Sequence, residues 1–234
     1  MTLHHPPKNR LMRLLNAETL SKLEKNLSIC RLARDDDMFQ HVIQIDYIYF
    51  PITSIIAVIN HLDDGPAPEV ATIGNDGIVG IDALIGAKSQ TRKYIVQSAG
   101  TAYRIQADLI RKIFDEDADF RDKLLKYINT LFAQAAQIAV CNRFHTIDQQ
   151  LCRFLLSSID RWDSHRISLT HQRVANLLGV RRPSVSEASA KLAHAGYIHY
   201  QRGCVTILNK TGLEQQACEC YKVMKKEINH LLNY

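Results

Sequence analysis

The spacing of apolar residues changes along the chain, and each change predicts a different architecture. Between residues 11 and 27, Leu11, Leu14, Leu15, Leu20, Leu23 and Leu27 recur at helical intervals, which predicts a helix. From about Phe39 to Ile105 the pattern turns to short strands: residues 47–50 ending at Pro51, then 54–59, 70–73, 94–96 and 101–105. Asp63-Asp-Gly65-Pro66 and Gly74-Asn-Asp-Gly77 supply turns, and Gly74, Gly77 and Gly80 are expected to serve β-turns. Many short strands with glycine-rich turns predict a jelly roll or barrel.

A long helix is expected next, over residues 118–142. Leu124, Leu131 and Ile138 recur every seven residues, with Tyr127, Gln134 and Cys141 between them. That is a heptad seam, and Leu124, Leu131, Gln134 and Ile138 are its expected dimer contacts; an amphipathic helix packed on its own domain gives the same pattern. Residues 142–145 form the expected hinge. A further helix from about 146 to 162 carries Leu151, Phe154, Leu155 and Ile159.

The segment 170–192 predicts two short helices around Gly179. Val174, Ala175 and Leu178 share a face of the first; Val185, Ala188, Ser189 and Leu192 share a face of the second. Gly179 suits a turn that needs positive φ, and Pro183 suits the first turn of a new helix. Gly196 can end that helix, and residues 197–200 and 205–208 then predict a hairpin with Arg202 at its tip. A helix-turn-helix followed by such a wing places its second helix in the DNA major groove.

Charge falls where that reading needs it. From Ser164 to Leu208 six basic residues (Arg166, Arg173, Arg181, Arg182, Lys191, Arg202) face one acid, Glu187, a balance of +5 that equals the formal net charge of the whole chain. This is the footprint expected for phosphate contacts. Arg182, Ser184 and Glu187 are assigned to the major groove, and Thr170, His171, Gln172, Arg181 and Arg202 to phosphates. Glu187 has a second reading, an ion pair with Lys191 one turn later.

The 234 residues are 46% hydrophobic, enough for one or two domains. No apolar run of eighteen residues predicts a membrane span, and the Met1-Thr-Leu-His-His-Pro-Pro-Lys8 start lacks a signal-peptide apolar region, so a cytoplasmic location is expected. The six cysteines are expected as reduced thiols. Gly86-Ala-Lys-Ser89 lacks the Gly-Lys pair of a phosphate-binding loop, and no hydrolase or zinc-protease motif occurs, so an enzyme is not expected.

In this order of elements the chain resembles the Crp/Fnr family of bacterial transcription regulators. The segments that carry the resemblance are 47–51 with 70–80 in the roll, 142–156, and the 179–185 turn. The resemblance implies an α+β fold: an N-terminal β-roll (a double-stranded jelly roll, residues 1–116), a dimerisation helix and hinge (117–145), and a C-terminal winged helix-turn-helix with an extra helix (146–234). It implies a homodimer acting on double-stranded DNA at a near-palindromic operator, with RNA polymerase as a further partner if it activates, and no membrane contact. An alternative is a β-roll that binds an effector or partner while the DNA-binding domain stays idle.

The resemblance stops at the effector site. Cyclic-nucleotide binders of the family carry Gly-Glu-Leu, whose Glu takes the ribose, and Arg-Ser/Thr-Ala, whose Arg takes the phosphate. Here Gly80-Ile81-Asp82 puts Ile81 in the Glu position, with Asp82 pointing to the opposite face if the segment is extended, and Arg92 lacks the flanking residues. The roll is therefore read as degenerate, and no cofactor is expected. Only Cys30 precedes residue 140, too few for an N-terminal iron–sulfur cluster. His4 and His5 are read as tail residues rather than haem ligands. Cys218 and Cys220 are placed on one final helix with Leu213, Ala217, Tyr221, Met224, Ile228 and Leu231; residues two apart face different sides, so burial is expected and no metal site.

Overall fold

The computed structural model describes residues 7–39, 44–60, 68–86, 92–162 and 164–233. The leucine-rich run at 11–27 does not form one helix. Met12–Leu14 is a 3-10 turn, Leu15 is extended, and Asn16 accepts a hydrogen bond from the Thr19 amide to start α1 (Ala17–Glu24). An Asn at that position offers the backbone a cap in preference to a helical continuation. The leucines nevertheless meet in one core, where Leu11, Leu15 and Leu23 are buried.

Two antiparallel three-stranded sheets make the roll. In one, β1 (Ser28–Leu32) and β2 (Tyr47–Pro51) flank β6 (Gly100–Gln106); in the other, β4 (Glu69–Ile73) and β5 (Arg92–Ser98) flank β3 (Ile55–Asn60). The five predicted strands are present, and β1 is additional. Then α2 (Ala107–Glu116), which is not among the predicted elements although Leu109, Ile110, Ile113 and Phe114 repeat at helical spacing, leads to α3 (Ala118–Phe144), whose N-cap Asp117 accepts from the amides of Asp119 and Phe120.

The Gly74–Gly77 turn is governed by its neighbours more than by its own geometry. A Cβ at Gly74 would lie 2.6 Å from Cβ of Arg161, and one at Gly77 would lie 2.2 Å from the Tyr127 hydroxyl. Of the three glycines expected to serve turns, only Gly80, at φ +93°, has the left-handed backbone that favours glycine.

The predicted heptad seam faces inward. Leu124 and Tyr127 pack in the roll core, Ile138 is buried, and Gln134 accepts a hydrogen bond from the Thr72 amide at 3.0 Å. Leu131 is half-buried against the same core. The large apolar residues that α3 leaves exposed are Leu125 and Phe132, each one position after a seam leucine, with Val140 and Phe144 further on; Phe132 is 73% exposed.

The C-terminal part consists of α4 (Ile147–Ile159), β7 (Arg166–Ile167), α5 (His171–Leu178), α6 (Arg182–His194), β8 (Ile198–Gln201), β9 (Cys204–Ile207), α7 (Lys210–Gln216) and α8 (Glu219–Leu232). Thr146 and Gln149 form a reciprocal capping box at the start of α4. The expected single final helix is two, because the chain is extended at Ala217 and Cys218. Helix α8 runs along α3, and Leu231 joins the roll core.

The roll also packs directly on this C-terminal part. Ala57 of β3 sits in the core formed by α4, α5, α6 and the wing, and the Arg161 guanidinium forms a buried ion pair with Asp76 at 3.0 Å.

Candidate nucleic-acid interface

Helix α5 begins where Thr170 accepts a hydrogen bond from the Arg173 amide, and it ends at Gly179, φ +68°, where the Val180 amide reaches back to the Ala175 carbonyl at 2.9 Å. Only a residue at ease with positive φ closes a helix this way without penalty. Helix α6 then starts with Arg182 and Pro183, where a missing N–H costs nothing. Its buried face is Val185, Ala188, Ser189 and Leu192, as the spacing predicts, which leaves Arg182, Pro183, Glu187 and Lys191 on the exposed side. Gly196, φ +74°, ends α6.

The wing is a hairpin of β8 and β9, paired antiparallel and closed by the two-residue loop Arg202-Gly203. Both loop residues have positive φ, 49° and 73°, the twist that suits two-residue hairpins. The loop holds the exposed Arg202 at the tip. The short strand β7 completes the sheet on the other side of β9.

The eight assigned residues lie on one module but differ in what occupies them. Arg181, Arg182 and Arg202 are exposed and form no ion pair among the described residues. Thr170 and Gln172 are exposed near the start of α5, and the Gln172 amide donates to the Asn176 side chain at 2.9 Å. Ser184 is half-buried in the first turn of α6. Glu187 is in an ion pair with Lys191 at 3.0 Å, as its second reading allowed.

His171 is half-buried and makes contacts within the module. Its Nδ1 lies 2.9 Å from the Ser186 hydroxyl and its ring is tilted against Tyr200 at 4.0 Å, so it joins α5 to α6 and to the wing. Burial, with the nearby Arg182 charge, holds its pKa below the ordinary histidine value, which favours the neutral ring.

The basic footprint is also smaller than composition suggested. Arg173 turns toward the roll, where it pairs with Asp35 and donates to the Val96 carbonyl. Arg166 donates to the Cys204 thiol at 2.9 Å, and Lys191 is shared between Glu187 and Asp148.

In the roll, Ile81 and Asp82 are buried in a 3-10 turn, so the segment is not extended as assumed for Asp82. The Asp82 carboxylate instead accepts from Arg92 and from the Tyr94 hydroxyl. Phe39 packs edge-on against Tyr94 at 5.2 Å and approaches Gly80 together with Ile45. His4, His5 and residues 87–91 before Arg92 lie outside the described residues.

A turn-linked helix pair with a positive-φ glycine, a wing and an arginine-bearing helix start define a DNA-binding module carried behind a β-roll and a long helix. Residues 149–216 match the family model described as the Crp-like helix-turn-helix domain. That segment is similar to this family, and the described residues have the fold of solved Crp/Fnr regulators. FixK2 from Bradyrhizobium japonicum is similar in structure at TM-score 0.69 and 15% identity, covering 82% of this chain and 98% of its own. A Crp/Fnr regulator from Eubacterium rectale gives 0.66 and 16%, covering 86% and 94%. The c-di-GMP-responsive global regulator CLP of Xanthomonas campestris gives 0.58 and 15%, covering 82% and 99%. Comparison with curated proteins gave no match. No helix among the described residues is long and apolar enough to cross a membrane.

Proposed function

We propose that the protein is a homodimeric, sequence-specific transcription regulator that binds a near-palindromic operator. The observation that carries this reading is the grouping of exposed Arg181 and Arg182 at the start of α6 with Arg202 on the wing tip, on a Crp-like helix-turn-helix. Arg182 reads a base edge; Arg181, Arg202, Thr170 and Gln172 hold phosphates; Ser184 lies beside Arg182 in the same turn. Glu187 enters the groove only by giving up Lys191.

The second copy docks along the exposed stripe of α3, Leu125, Phe132 and Val140, in place of the seam at Leu124, Leu131, Gln134 and Ile138. These residues are exposed apolar side chains at intervals of seven and eight on one helix, close to the repeat of a two-helix contact, and isologous pairing of α3 sets the two recognition helices about a two-fold axis.

Cyclic AMP is not the effector. Arg92, which the family resemblance puts at the phosphate, is neutralised by Asp82, and apolar Ile81 stands in place of the ribose-binding Glu. Calorimetric titration with cyclic AMP is expected to give no heat of binding, and micromolar binding would overturn this.

A mobility-shift assay on the DNA upstream of the protein's own coding sequence tests the main reading. With the about four arginine–phosphate contacts per dimer that Arg181 and Arg202 supply, affinity falls on the order of a hundredfold between about 50 and 200 mM salt. Binding that ignores salt would overturn the DNA interface.

A further inference from the structure

The end of α3 and the start of α8 bring together a set of side chains that the DNA-binding reading does not use. Cys141 lies in the last turn of α3, and His145, four residues on, is its C-cap residue. Cys218 is the N-cap of α8 and Cys220 lies in its first turn. All three thiols are buried and His145 is half-buried. Cys141 Sγ is 3.5 Å from Cys218 Sγ, Cys220 Sγ is 3.4 Å from His145 Nδ1, and the four ligand atoms lie within 4.8 Å of one another.

We propose that Cys141, His145, Cys218 and Cys220 form a tetrahedral site for one zinc ion, which fastens the C-terminal helix to the end of the long helix. Zinc–sulfur bonds of about 2.3 Å and zinc–nitrogen bonds of about 2.0–2.1 Å put tetrahedral ligand atoms about 3.5–3.8 Å apart, which both measured contacts approach. An iron–sulfur cluster places several atoms between its thiolates and needs a wider cage. The expectation that Cys218 and Cys220 face different sides of one helix fails for a local reason. Cys218, at φ −70° and ψ 166°, is extended and outside the helix, so its thiol is free to converge with that of Cys220.

The surroundings fit the same occupant. His145 Nε2 faces the Glu219 carboxylate at 3.3 Å, the partner that orients a metal-binding imidazole through its other nitrogen. The Gln137 amide donates to Cys220 Sγ at 3.0 Å, a contact that stabilises a thiolate. Three thiolates, a neutral imidazole and Zn²⁺ leave one negative charge, and buried Arg153 acts electrostatically on Cys141 from α4. A structural site closed by four protein ligands leaves no open position for chemistry.

Elemental analysis of the full-length protein, purified without an affinity tag or chelator, is expected to give one zinc per chain. Metal-stripped protein with reduced thiols, titrated with Co²⁺, is expected to show the visible bands of tetrahedral thiolate-bound cobalt and to lose them when Zn²⁺ is added. Cys141→Ser with Cys220→Ser abolishes the metal, Cys152→Ser keeps it, and Glu219→Gln weakens Zn²⁺ affinity by roughly 10–100-fold. Sub-stoichiometric zinc with no cobalt bands from the wild-type chain would overturn the site, whatever the variants do. Zinc retained by the double variant, an iron–sulfur chromophore, or a native Cys141–Cys218 disulfide would each overturn it as well.

Discussion

Arg161, at the end of α4, and Asp76, in the turn after β4, form a buried ion pair across the contact between roll and DNA-binding domain, with Nε and Oδ2 3.0 Å apart. Each is held from its own side: the Arg161 guanidinium donates to the Ser157 carbonyl, and the Asp76 carboxylate accepts from the Gly74 amide. Removing one partner leaves the other charge buried. Asp76→Asn is expected to lower the unfolding free energy by roughly 3–5 kcal/mol. Asp76→Asn combined with Arg161→Met should cost less than Asp76→Asn alone, read from urea midpoints. A loss below about 0.5 kcal/mol, the size of an ordinary surface change, would show the pair to be idle.

Phe132 and Ile138 separate the two faces of α3. Phe132→Asp puts a carboxylate on the exposed stripe; the dimer is expected to dissociate while the monomer keeps its melting temperature. Ile138→Asp buries an unpaired carboxylate within the chain, at a cost of several kcal/mol, and is expected to unfold the protein instead. Sedimentation and thermal melting distinguish the outcomes. A Phe132→Asp chain that still sediments as a dimer would place the subunit contact elsewhere.

Arg182 and Arg202 should differ in what they read. Arg182→Ala is expected to cost about 1–3 kcal/mol at one base step of each half-site, because a guanidinium there can hold guanine O6 and N7 together. Arg202→Ala should weaken every sequence alike and lower the salt slope by about one per subunit. Binding to a panel of single-base operator variants decides the matter. Equal losses across the panel for both substitutions would reduce Arg182 to a phosphate contact.

His171 supplies a pH dependence whose sign is fixed by its lowered pKa. Its folded form binds protons less readily than the unfolded chain, whose histidine titrates near about 6.5, so its share of the stability is complete above that value and is lost as the pH falls below it. Between about pH 8 and about pH 5, wild type should therefore lose more stability than His171→Gln. A difference between the two that stays constant with pH would contradict the half-buried, neutral ring.

The sequence made the strands of the roll and both helices of the DNA-binding motif legible, because each buries one face and its apolar residues repeat accordingly. Strand β1 escaped because its alternation is confined to Cys30-Arg31-Leu32 and none of its residues is fully buried. Helix α2 follows β6 with no Gly or Pro to announce it. On α3 two heptads run side by side, Leu124-Leu131-Ile138 and Leu125-Phe132-Ala139, and only the packing of the roll decides which is free. The roles of Arg173 and His171 were hidden for the same reason, since Asp35, Val96, Ser186 and Tyr200 reach them only in the fold. Cys141 and Cys218, 77 positions apart, carry no shared motif that a sequence pattern could reveal.

Ala57 belongs by sequence to the central strand of the roll and by packing to the core beneath the recognition helix. Its methyl group is buried among side chains of the C-terminal part, so parting the two would expose apolar surface there. The roll and the helix-turn-helix therefore share a buried contact, and any movement of one against the other would have to break it.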